Sequence, residues 1–214
     1  MITNIFLDFD GVIVDSNEIK TLAFLNIYKK YDKDIKLKIK NHHEENGGMS
    51  RYKKFKFYNE TYLNIKITKK EINRMSIEFT KFVFSKILKK KIMPGLIKFI
   101  KKNKKKYSFY IISATPQNEL RKICKEKKIF NLFNNIYGSP EEKNKIIKKI
   151  IFKNKLKKKN CLFIGDSIND LEAANKTKIN FLGFGNIFKA NKLNKIKYIL
   201  KFNELESFLK NYEY

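Results

Sequence analysis

Asp8 and Asp10 stand two positions apart in Asp8-Phe9-Asp10-Gly11-Val12-Ile13-Val14-Asp15-Ser16, directly after the apolar run Ile5-Phe6-Leu7. Such a run reads as a buried strand, and carboxylates at its end are costly unless they bind something. A hard cation together with a phosphoryl group is the simplest ligand that would use both. The arrangement recurs twice. Tyr107-Ser108-Phe109-Tyr110-Ile111-Ile112 runs into Ser113-Ala114-Thr115, and Cys161-Leu162-Phe163-Ile164 runs into Gly165-Asp166-Ser167-Ile168-Asn169-Asp170. Helical patterns lie between these runs, so the strands read as parallel, and open parallel sheets bind ligands at the carboxyl ends of their strands. The layout therefore predicts that Asp8, Ser113 and Asp166 meet at one edge.

The elements that would position them alternate. Strands are predicted at 4–8, 107–112, near Ile136, at 161–165, at 180–184 and near Tyr198 to Leu200. Helices are predicted at 17–31, about 95–103, 117–127, 142–152, 168–176 and 203–212. Residues 32–90 show no strand of the buried kind; they hold aromatic-rich helical patterns at Tyr52 to Tyr62 and Ile72 to Leu88, interrupted by Gly47-Gly48. The expectation is an α/β fold, a Rossmann-like doubly wound parallel sheet with an inserted α-helical cap domain. Residues 1–15 and 91–214 would form the core and residues 16–90 the cap, which could hinge over the strand ends as a lid.

Composition narrows the class. The 214 residues are 43% hydrophobic, enough for a sizeable core and against global disorder. No apolar run approaches the roughly 20 residues of a membrane helix, and the chain enters a strand too early for a signal peptide. Cys124 and Cys161 lack metal-ligand spacing and read as reduced thiols, so a cytoplasmic protein without membrane contact, monomer or homodimer, is expected. The net charge of +27 suggests polyanions, but arginine occurs only at Arg51, Arg74 and Arg121. Lysine, asparagine and isoleucine are in excess together, as A/T-rich codons would produce. Selection for phosphate recognition tends to favour arginine's bidentate fork, so specific nucleic-acid binding is not expected.

Four motifs in this order resemble those of haloacid dehalogenase-type hydrolases with a helical cap, of the phosphoglycolate phosphatase and β-phosphoglucomutase kind. They are Asp8-Phe9-Asp10-Gly11-Val12, Ser113-Ala114-Thr115, Lys143 within Gly138-Ser139-Pro140-Glu141-Glu142-Lys143, and Gly165-Asp166-Ser167-Ile168-Asn169-Asp170. The resemblance implies that Asp8 attacks phosphorus, that Asp10 acts as general acid and then base, and that the Asp10 backbone carbonyl joins Asp8 and Asp166 at a metal. Oxygen ligands without a His or Cys cluster point to Mg²⁺. Gly11 would bring backbone N–H groups near the phosphoryl oxygens, and Ser113, with the Ala114 amide, would bind them at a helix start. Lys143 would offset charge as it builds. Asp170, with Ser167 and Asn169, would support the site from behind.

The segment from His42 to Lys54 is the expected substrate reader. It gathers both histidines, His42 and His43, the glycine pair Gly47-Gly48 and Arg51, which could contact a carboxylate or phosphate. The function expected is Mg²⁺-dependent hydrolysis of a small phosphomonoester of a sugar, polyol, hydroxy acid or amino alcohol, through an aspartyl-phosphate. A phosphomutase of the same family is the alternative, and a basic nucleic-acid-binding or end-processing protein, suggested by charge alone, is a distant one.

Overall fold

A computed structural model of the chain describes residues 1–190 and 196–211. Six strands form one wholly parallel sheet: β1 (Asn4–Leu7), β2 (Ser108–Pro116), β3 (Asn135–Ser139), β4 (Cys161–Gly165), β5 (Asn180–Phe184) and β6 (Tyr198–Ile199). The spatial order is β3-β2-β1-β4-β5-β6. The winding reverses at β1, which makes this a doubly wound Rossmann-like sheet with its switch point beside β1. All six strands lie where the sequence places them, but β2 runs on to Pro116, four residues past its expected end at Ile112.

The central strands are apolar on both sides because both faces are covered. On one face Ile5, Leu7, Phe109, Ile111, Leu162 and Ile164 pack into the larger core. On the other, Phe6, Tyr110, Ile112 and Phe163 meet Ile146, Ile147, Ile150, Ala173 and Ala174. These last five come from helices α7 (Lys143–Lys153) and α8 (Ile168–Thr177). The opposite face carries α5 (Leu96–Asn103), α6 (Gln117–Glu126) and α10 (Leu205–Asn211); α9 (Ile187–Ala190) is a single turn after β5. The expected helix 203–212 begins two residues late, after a 3₁₀ turn at Phe202–Glu204, and its last position lies outside the described residues.

Four helices are inserted between β1 and α5: α1 (Asn17–Ile27), α2 (Lys33–Glu45), α3 (Arg51–Phe57) and α4 (Lys69–Lys89). A π-helical turn, Tyr58–Tyr62, follows α3. Their shared centre is aromatic: Phe24, Tyr28, Phe55, Tyr58 and Phe79 are all nearly inaccessible, and the Asn59 amide donates to the Tyr28 hydroxyl at 2.8 Å. Helix α1 stops at Ile27, four residues before the expected end, because Tyr28 turns into this centre and Asp32 already caps α2 by accepting from the Ile35 N–H at 2.8 Å.

Both chain crossings to the inserted helices run side by side. Val14 bridges Asp10 on one side and Ile92 on the other, and the Met93 N–H donates to the Ile13 carbonyl at 2.9 Å. Among the described residues no helix is long and apolar enough to cross a membrane.

Candidate active site

Strand register delivers the acidic residues to one place. Leu7 pairs with Ile111 and with Ile164, so Asp8, one residue on, lies level with Ile112 of β2 and with Gly165, the last residue of β4. Its backbone N–H donates to the Ile164 carbonyl at 3.0 Å. Asp166 follows Gly165 at the end of β4, and Asp170 sits in the first turn of α8. Carboxylate oxygens of Asp8, Asp166 and Asp170 lie within 4.8 Å of one another.

One ammonium serves two of these acids. Lys143, at the start of α7, is 2.8 Å from Asp8 Oδ2 and 2.6 Å from Asp170 Oδ1. Burial alone would lower the Lys143 pKa, but Asp170 and Asp8 more than reverse this and keep it protonated. Asp8 is pushed the other way. Burial raises its carboxyl well above the ordinary range, Lys143 only partly offsets that, and Asp170, Asp166 and Asp10 add to it. Desolvation and the neighbouring Asp170 push the half-buried Asp166 up to about 7, against the pull of the Asn17 amide that donates to it at 2.7 Å. Three crowded carboxylates with a single ammonium leave an excess of negative charge at the strand ends. An oxygen-only donor set of this kind fits a hard divalent cation such as Mg²⁺. Gly11 keeps the place open: at φ +75° a Cβ would collide with the Asp166 carboxylate.

Asp10 faces elsewhere. Ser16 Oγ donates to its Oδ1 at 2.6 Å, Thr115 Oγ1 donates to its Oδ2 at 2.9 Å, and the Lys20 ammonium pairs with Oδ2. Lys20 also donates to Thr115 Oγ1 at 2.8 Å. Burial would raise the Asp10 carboxyl, but the Lys20 charge and these hydrogen bonds together hold it below the ordinary range. Lys20 and the hydroxyl donors thus favour the charged form of Asp10, whereas burial works against the charged form of Asp8 and Asp166.

Ser113 is fully buried; its Oγ accepts from the Thr115 N–H at 3.1 Å and lies 3.5 Å from Asp10 Oδ2. It does not open a helix, as the sequence suggested, because β2 continues to Pro116 and α6 starts at Gln117. Ala114 lines the cavity described below. Ser167 and Asp170 form a reciprocal cap on α8, with Ser167 Oγ donating to Asp170 Oδ2 at 2.7 Å. Asn169 donates to the Gly47 carbonyl at 2.7 Å and so ties the inserted helices to the strand-end side. Gly48, at φ +79°, approaches so closely that a Cβ would lie 2.8 Å from Ser167 Oγ and 3.4 Å from Lys143 Nζ.

Between these two sides lies a cavity of about 370 Å³, lined among others by Asp8, Asp166, Lys20, Phe24, Gly48 and Lys54. Arg51 also lines it, but its guanidinium grips Glu119 on α6 with two bonds of 2.9 and 2.8 Å and also donates to Thr80 Oγ1 at 2.9 Å. Its charge is therefore neutralised inside the protein. His42 stacks on Phe57 with ring centroids 4.4 Å apart and meets the Tyr58 hydroxyl at 3.2 Å. His43 lines the cavity and accepts from the Lys54 ammonium through Nδ1 at 2.6 Å.

Burial and the Lys54 charge hold His43 down at about 2. The folded ring stays neutral where an unfolded histidine takes a proton, so stability is complete above about pH 6.5 and is lost as pH falls from there toward about 2. Urea unfolding checks this. Between about pH 7 and about pH 5 the wild type is expected to lose more stability than His43→Gln, and equal losses would contradict the sequestered ring.

The sequence singles out neither Asn17, Lys20 nor Glu119, and gives no individual role to Ser16, Lys54 or Thr115, which lie within segments it does mark. Lys20 and Lys54 carried no signal above the abundance of lysine. Thr115 lay within a quoted motif, but its contact with Asp10 depends on β2 and β1 pairing.

Comparison with known proteins shows the family. The family model for haloacid dehalogenase-like hydrolases matches residues 5–184. No curated protein matches the sequence. Among solved structures, β-phosphoglucomutase from Clostridium difficile superposes with a TM-score of 0.78 at 22% identity, covering 100% of this chain and 98% of that one. A predicted phosphoglycolate phosphatase from Haemophilus somnus 129pt gives 0.73 at 18%, covering 97% and 98%. The HAD-hydrolase YfnB from Bacillus subtilis, bound to magnesium, gives 0.70 at 16% with the same coverage. Likeness at these identities speaks for the fold, and the family model spans all four motifs, so the chain belongs to the haloacid dehalogenase-like hydrolases.

Proposed function

We propose that this hydrolase is a Mg²⁺-dependent phosphatase of small phosphomonoesters, with α1–α4 as a cap domain over the strand ends. The observation that carries the reading is the placing of the Asp8 carboxylate at 2.8 Å from Lys143 and within 4.8 Å of Asp166 and Asp170. Asp8, Asp166 and the Asp10 backbone carbonyl would hold the ion, with Asp170 close behind. Bound Mg²⁺ would neutralise the crowded carboxylates and draw charge from the phosphoryl oxygens.

The chain's own groups divide the work. Asp8 Oδ attacks phosphorus, the ester P–O bond breaks, and the phosphoryl group passes to Asp8 as an aspartyl-phosphate. Lys143, protonated and buried, offsets the charge that builds on the transferring oxygens. The leaving alkoxide takes a proton from Asp10. In the second half Asp10 takes a proton from water, the hydroxide attacks phosphorus, and the P–O bond to Asp8 breaks to give inorganic phosphate. The Lys20 and hydroxyl contacts favour the carboxylate form of Asp10, which suits this second half. The acid half requires a proton on Asp10, which the Lys20 pairing opposes, so that contact has to loosen as substrate enters. The cavity of about 370 Å³ has room for a small ester rather than a large substrate.

EDTA is expected to silence hydrolysis of p-nitrophenyl phosphate and added Mg²⁺ to restore it. Full activity after exhaustive chelation would remove the ion from the scheme, and isomerisation of a hexose phosphate without net phosphate release would replace hydrolysis by mutase chemistry.

A further inference from the structure

Four basic side chains line or adjoin the cavity, and three already have carboxylate partners. Lys143 is held by Asp8 and Asp170, Lys20 by Asp10, and Arg51 by Glu119. Lys54 has none. Its side chain, on α3 one turn after Arg51, is 1% exposed and lines the cavity. Two of its N–H groups go to His43, to Nδ1 at 2.6 Å and to the backbone carbonyl at 3.1 Å. Among the described residues, nothing accepts from the third. Neutral His43 satisfies hydrogen bonds but cancels no charge. The Phe24 ring, 5.7 Å away, offers only a weak cation–π contact. Lys20 adds repulsion, and Asp10, whose charge offsets this only in part, is already paired with Lys20. A buried ammonium without a counter-charge is expensive. Desolvation and Lys20 pull its pKa down to about 7, the direction expected of a cation short of an anion.

We propose that Lys54 binds an anionic group on the alcohol half of the substrate, so that the preferred esters carry a second negative charge, as a carboxylate or a second phosphate. This rests on the phosphatase reading and adds to it the substrate class. Arg51 is the residue whose type suggests anion recognition, but Glu119 has taken up its charge; Lys54 supplies the charge that the cavity keeps free. The cavity volume lies at the small end of ligand pockets, which run from roughly 300 to 1,000 Å³.

The test compares kcat/KM for three esters with Mg²⁺: 2-phosphoglycolate, with a carboxylate tail; glucose 1,6-bisphosphate, with a phosphate tail; and 2-hydroxyethyl phosphate, with a neutral one. The wild type is expected to favour at least one anionic-tailed ester over the neutral one by roughly ten- to a hundredfold, the worth of a hydrogen bond to a charged group. Whichever is favoured names the tail. In Lys54→Met this ratio is expected to collapse, chiefly through a raised KM. A wild type without the preference, or a variant that keeps it, overturns the proposal. Melting without ligand supplies a second reading: Lys54→Met is expected to melt at or above the wild-type temperature, because a lone buried charge is gone, and a clear fall would make Lys54 a structural prop instead. If none of the esters, nor p-nitrophenyl phosphate, is hydrolysed, the phosphatase reading fails on its own. Lys54 is then judged by whether 2-phosphoglycolate raises the wild-type melting temperature more than 2-hydroxyethyl phosphate does and loses that advantage in the variant.

Discussion

Replacing Asp8 with asparagine is expected to reduce p-nitrophenyl phosphate turnover by a factor on the order of 10⁴ to 10⁶, the scale seen when a covalent nucleophile is removed. An amide oxygen neither attacks phosphorus nor supplies the charge that Lys143 faces. The same variant is expected to fold at least as well as the wild type. Burial and the neighbouring acids raise the Asp8 carboxyl, so the folded state favours its neutral form, and asparagine removes a charge that the fold disfavours. Lys143 keeps Asp170 as partner at 2.6 Å. Steady-state kinetics and thermal melting on one preparation check both halves. Turnover that persists would mean that another group attacks phosphorus.

The second large effect concerns stability. Arg51 and Glu119 form a bidentate pair with both side chains 4% exposed, joining α3 of the inserted helices to α6 beneath them. Thr80 donates to Glu119, and the Phe79 ring lies 4.2 Å from the guanidinium carbon. Glu119→Gln leaves a buried guanidinium without its counter-charge, at a cost of about 3–5 kcal/mol. For a chain of this size that is a fall in melting temperature of roughly 10 °C. The double variant Arg51→Met/Glu119→Leu is expected to recover most of the loss, because packed apolar side chains replace a buried ion pair at little net cost. A Glu119→Gln protein that melts like the wild type would show that the pair is solvated and weak.

The sheet could be read from the sequence because strands covered on both faces show as short, nearly unbroken apolar runs, and because their ends carry small or acidic residues. Ile5-Phe6-Leu7 before Asp8 and Cys161-Leu162-Phe163-Ile164 before Gly165-Asp166 both have this form. The site was legible only where residue type is unusual for its position. An aspartate after an apolar run stands out; a lysine in this chain does not, so Lys20 and Lys54 stayed invisible although both are largely withdrawn from water. Arg51 stood out by rarity, but its partner is 68 residues away, and nothing local marks Glu119. The early end of α1 depends on Tyr28 turning into an aromatic centre assembled from several helices, which periodicity along one helix cannot reveal.

The paired crossings at Val14 and Ile92 have a mechanical consequence. The Val14 bridge to Asp10 means that the pivot for any rotation of α1–α4 begins at the residue proposed as acid and base. The Lys20 grip on Asp10 comes from the first of those helices, so the same rotation would act on that carboxylate from its other end. Torque on the lever would thus be felt at the Asp10 carboxylate before it reached the sheet, which would put any closure and the proposed proton transfer on a single axle.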